Sequence, residues 1–89
     1  MAAKSFGGVS IEALNKIADA CRKGGFVSVI GDKLYYNYRS ARGHQVNHAE
    51  FIIQAGKLLK MTVGHYPGQT SFPDIDFMNL ANDMFDFKG

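Results

Sequence analysis

Two runs of β-branched and aromatic residues flank a single glycine. Phe26-Val-Ser-Val-Ile30 and Lys33-Leu-Tyr-Tyr-Asn-Tyr-Arg39 stand on either side of Gly31-Asp32. Glycine in the first position of a two-residue loop suits a type II′ turn, whose twist matches that of the strands it joins. The spacing therefore predicts a hairpin with Ile30 opposite Lys33 and Val29 opposite Leu34. Because side chains alternate along a strand, Val27, Val29, Leu34, Tyr36 and Tyr38 share the core face. Phe26, Ser28, Ile30, Lys33, Tyr35, Asn37 and Arg39 share the other.

The flanking segments predict helices. Residues 10–23 place Ile11, Leu14, Ile17, Ala18 and Cys21 on one stripe. Ser10 is positioned as N-cap, Glu12 lies in the first turn, and Gly24-Gly25 stops the run. Residues 47–60 open with Asn47 at the N-cap and Glu50 three residues on, a capping box, with Val46 and Phe51 placed as its hydrophobic staple. The second helix is expected there, with Gly56 mid-helix and Lys57 and Lys60 near its negative end. Met61-Thr-Val63 is a candidate third strand, and residues 64–70 read as a loop. A last helix is expected from Ser71 as cap, with Pro73 in its first turn. Its apolar face is wide, with one stripe of Ile75, Met78, Ala81 and Phe85 and a second of Phe77, Leu80 and Met84. Residues 1–9 are expected to be a flexible N-terminus, broken by Gly7-Gly8, and 10–87 a single domain. The fold class expected is α+β: helix, β-hairpin, helix, loop, helix, with a small antiparallel sheet covered on one face.

At 89 residues there is room for one modest core. Cys21 is the only cysteine, so no internal disulfide staples the fold, and a reducing, cytoplasmic setting is expected. Neither a signal peptide nor an apolar run long enough to cross a bilayer is visible. Charge is unevenly spread. Residues 1–69 carry nine Lys and Arg against four acids, and residues 70–89 carry four Asp against Lys88. A basic body with an acidic end suits an anionic partner.

No phosphate loop, nucleotide fingerprint, nucleophile elbow or zinc-protease motif is present, so neither enzymatic activity nor a cofactor or metal is expected. Lys33, Tyr35 and Arg39 on the hairpin, with Arg42 and His44 in the loop after it, combine stacking surface with positive charge. Single-stranded nucleic acid is held in that way. The expected function is a small binding module that contacts nucleic acid. Two alternatives stay open. Phe77, Met84 and Phe85 on the last helix, or the hairpin itself, suit a protein-binding inhibitor or adaptor. Arg39, Arg42 and His44 with a tyrosine suit a small metal-independent ribonuclease.

The run Gly43-His-Gln-Val-Asn-His-Ala-Glu-Phe51, followed by Ala55-Gly56-Lys57, resembles the turn and second-helix start of ribbon-helix-helix repressors and antitoxins of the Arc type. That resemblance implies a ribbon at 26–30, a first helix at 32–43 and a second at 47–60. It implies dimeric operator binding, with toxin binding by the tail.

Overall fold

The computed structural model describes residues 4–39, 46–62 and 72–88. Two helices pack on one face of a four-stranded antiparallel sheet, and a two-stranded hairpin precedes them. The elements are β1 (Ser5–Phe6), β2 (Val9–Ser10), α1 (Ile11–Cys21), β3 (Phe26–Ile30), β4 (Lys33–Arg39), β5 (Val46–Gln54), β6 (Lys57–Lys60) and α2 (Pro73–Met84). The sheet is a simple meander, β3-β4-β5-β6.

α1 forms where its stripe and cap predict. The Ser10 side chain accepts a hydrogen bond from the Ala13 N–H (3.1 Å), satisfying one of the donors a helix start leaves open. Leu14, Ile17 and Ala18 are buried. The β3–β4 hairpin has the expected register, Ile30 with Lys33 and Val29 with Leu34. Its turn has the expected hand as well, since Gly31 alone of the two loop residues takes a positive φ (63°). Leu34 and Tyr36 are fully buried, and the Tyr36 hydroxyl donates to the Ala18 carbonyl at 2.8 Å, tying β4 to α1.

The segment expected as a second helix is instead a second hairpin. Residues 46–54 form β5, paired with β4 from Leu34–Phe51 to Arg39–Val46, and residues 57–60 form β6. Ala49 and Phe51 are buried on one side, whereas His48 and Gln54 are exposed on the other, which is a period of two. Ala55 and Gly56 both take positive φ (54° and 79°), the backbone of a type I′ turn. The capping-box spacing is thus incidental: Glu50 sits mid-strand and Phe51 is core. The strand after Gly56 begins at Lys57 rather than Met61, although the Met61 N–H still donates to the Glu50 carbonyl (2.8 Å). The two helices that the repressor resemblance implies, over 32–43 and 47–60, are therefore replaced by strands at 33–39, 46–54 and 57–60.

The N-terminus also differs from expectation. Gly7-Gly8, both at positive φ, turn β1 into β2 and bury Phe6 and Val9. The Lys88 N–H donates to the Gly7 carbonyl (2.7 Å), and the Phe87 N–H donates to the Gly56 carbonyl (3.2 Å). The first hairpin, the β5–β6 turn and the C-terminal tail therefore meet at one end of the sheet. A Cβ on Gly7 would lie 2.2 Å from Ile53 Cδ1, so this meeting is close.

Each edge of the sheet is blocked by an asparagine from the helix beneath it. Asn15 Oδ1 accepts from the Val27 N–H of β3 (2.8 Å). Asn82 accepts from the Leu58 N–H of β6 (2.8 Å) and donates to its carbonyl (3.1 Å), as a neighbouring strand would. Among the described residues, no helix is long and apolar enough to cross a membrane.

Candidate functional site

Among the described residues, both helices lie on one side of the sheet and none covers the other face. Strand alternation delivers its residues. β3 presents Phe26, Ser28 and Ile30, and β4 presents Lys33, Tyr35, Asn37 and Arg39. β5 adds His48, Glu50, Ile52 and Gln54, while β6 adds Lys57 and Leu59, followed by Met61. The register sets these out in rows. Phe26 lies beside Asn37, and Asn37 beside His48. Ser28 lies beside Tyr35, and Tyr35 beside Glu50.

One half of the face is aromatic, polar and cationic. The Tyr35 and His48 rings sit diagonally, with centroids 6.2 Å apart and planes tilted by 56°. Phe26 is about half exposed, at 49%. The Asn37 amide donates to the Ser28 hydroxyl (3.2 Å), which ties these two polar side chains together across the β3–β4 pair. Partial desolvation pushes the Tyr35 phenol above its ordinary value. The neighbouring Glu50 carboxylate adds to this by accepting the phenol's hydrogen bond, and Lys33 opposes it. Arg39 ends β4 on the same face and is exposed. Its carbonyl accepts from Arg22 Nε (2.8 Å), and the Arg22 guanidinium lies 5.7 Å from the centre of the Tyr38 ring, so α1 holds this end of the strand in place. The exposed apolar side chains lie at the two edges, Ile30 on β3 beside Lys33, and Leu59 on β6 with Met61 just after it, Ile52 being paired beside Leu59.

Of the residues expected to meet nucleic acid, Lys33, Tyr35 and Arg39 lie together on this face, and Arg42 and His44 fall outside the described residues. Of those expected to meet a protein, Phe77 is in a different place. It is fully buried, 4.8 Å from Tyr36 and 5.8 Å from Phe51 ring to ring, and belongs to the core. Met84 is exposed at 56%, whereas Phe85 is half-buried and meets Phe87 edge-on. α2 thus spends most of its apolar face on the sheet. His48 and Glu50 were missed because residues 47–60 read as a helix. The period-two alternation of 48–54, together with Ala55-Gly56 as turn residues, is the signal that finds them.

Among the described residues, no three His, Cys, Asp or Glu side chains gather closely enough to hold a metal ion. Cys21, the last residue of α1, is half-buried. Burial first, and then the nearby Asp76, push its thiol above its ordinary value, away from the thiolate form. What remains is a platform of rings bordered by cations, able to stack planar groups and meet anions. No protein-family model, curated protein or solved structure matches the chain.

Proposed function

We propose that the chain is a small regulator that binds single-stranded nucleic acid on the open face of its sheet. The observation that carries this reading is the placement of Phe26, Tyr35 and His48 beside Lys33 and Arg39 on one exposed antiparallel surface backed by helices. Bases stack on rings in a sequence-tolerant way, because every base has a π-face. Cations at the border meet the phosphates between stacked bases. Arg42 and His44 follow Arg39 within five residues in the sequence. A reducing compartment suits the single thiol.

Titration of a labelled single-stranded octanucleotide, followed by fluorescence anisotropy, tests it. Two to three phosphate contacts make binding weaken roughly 7- to 20-fold between 50 and 200 mM salt. Tyr35→Ala removes a stacking surface and weakens binding roughly tenfold or more. Affinity indifferent to both changes would sink the proposal.

A second reading is favoured by one observation, the exposed Leu59 and Met61 at the β6 edge of the face, with Ile52 paired beside Leu59. A contiguous apolar patch bordered by polar groups is the character of a protein interface. On that reading the chain is an inhibitor or adaptor. Binding to a protein partner would then resist salt and be lost in Leu59→Asp, and oligonucleotides would not bind.

A further inference from the structure

Glu50 is the one acidic residue that the described strands carry, and it faces outward in the middle of the stacking platform. It lies directly across from Tyr35 and two residues from His48 on its own strand. A carboxylate there repels phosphate, so it weakens any contact made through the backbone alone. Its acceptor oxygens are useful only toward donors; in a nucleic acid these are the base edges and, in RNA, the 2′-hydroxyl, and only the base edges differ from one nucleotide to the next. Adenine and cytosine each offer one exocyclic amino group. Guanine offers two neighbouring N–H groups, N1–H and N2–H, which match the two oxygens of a carboxylate.

We infer that Glu50 reads guanine, taking its N1–H and N2–H while the base stacks against Tyr35 and His48. This rests on the single-strand reading of the same face and gives it a base preference. Glu50 is well placed for the task. Its backbone is fixed by the residues that follow β6, since its N–H donates to Thr62 Oγ1 (3.4 Å) and its carbonyl accepts from the Met61 N–H (2.8 Å). Accepting the Tyr35 hydroxyl leaves lone pairs on both carboxylate oxygens for a base, because an ionised carboxylate has about four acceptor sites.

The test uses 5′-labelled octamers of oligouridine RNA and of oligothymidine DNA, each with a central pair of guanines, inosines or adenines. Inosine keeps N1–H but lacks the N2 amino group. The wild-type chain is expected to bind the guanine octamer roughly tenfold more tightly than the inosine or adenine one. In Glu50→Gln, whose amide offers a single oxygen, the guanine octamer falls to within about twofold of the inosine one. A preference in either sugar series supports the inference, and the series that shows it names the nucleic acid. Equal wild-type affinity for guanine and inosine overturns it, and that comparison needs no variant. So does a preference that persists undiminished in a folded Glu50→Gln. Failure of all six octamers to bind overturns the nucleic-acid reading itself, a separate outcome from binding without preference.

Discussion

Ala55 holds a left-handed backbone (φ 54°) that alanine adopts at a cost, because its Cβ crowds the adjoining carbonyl. Asparagine tolerates that conformation, and Asn-Gly is the favoured pair for a type I′ turn. Ala55→Asn is therefore expected to stabilise the fold by about 1 kcal/mol. For a domain this size that raises the melting temperature by roughly 4–8 °C. An unchanged or lower melting temperature would show that the turn is not strained. Tyr36 makes a different point. Burial holds its phenol well above the ordinary tyrosine value, with the neighbouring Cys21 adding to the effect and Arg22 opposing it. A folded-state value above the unfolded one contributes stability below about pH 10, the unfolded tyrosine range, and that contribution is lost as pH rises further. Wild type should unfold more steeply above pH 10 than Tyr36→Phe, as read from urea midpoints across pH 8–11. At neutral pH the same change costs only about 1 kcal/mol. The Ala18 carbonyl keeps its helical donor, the Arg22 N–H, and is not orphaned.

Between elements, the buried link is Lys60 of β6 with Asp74 in the first turn of α2, at 2.5 Å. Both side chains are largely shielded from solvent, so removing one leaves the other charged without a partner. Asp74→Ala is expected to cost about 3 kcal/mol in urea denaturation, and adding Lys60→Met should recover much of it. Additive losses in the double variant would mean that the two charges are not coupled. Lys60 was expected to complement the end of its own helix. In fact it points beneath the sheet and pairs with the Asp74 carboxylate in the first turn of another. The spacing of Asn47 and Glu50 satisfied a helix-start pattern, yet strand pairing with β4 buries Ala49 and Phe51 against Leu34 and Tyr36, which an isolated helix start does not do. Local capping contributes about a kilocalorie, whereas burial of one large side chain contributes roughly 1.5–3, so the sheet prevails.

For the molecule as a whole, residues 5–10 close the end of the core that the C-terminal tail also reaches. Removing residues 1–9 while keeping Ser10 as the cap of α1 takes away Phe6 and Val9 and exposes Phe87 and Ile53. That loss should reach roughly 3–6 kcal/mol, a large share of what a small domain has. A truncated chain that melts with the wild type would show that the N-terminus is loose after all. By itself the sequence determined α1, the β3–β4 hairpin with its register and its two faces, and the final helix, because each is specified by neighbours within a few residues: a cap for α1, a turn glycine for the hairpin, and an early proline with a helical period for α2, whose N-cap position is Phe72 rather than the expected Ser71. It also brought Lys33, Tyr35 and Arg39 to one surface, since strand alternation alone sorts them. Only tertiary structure decided that residues 46–60 extend the sheet, that the N-terminal hairpin belongs to the core, that Phe77 faces inward and that His48 and Glu50 join the open face. Those outcomes depend on which apolar side chains are buried together, and that is settled by pairing between segments far apart in the chain rather than by local pattern.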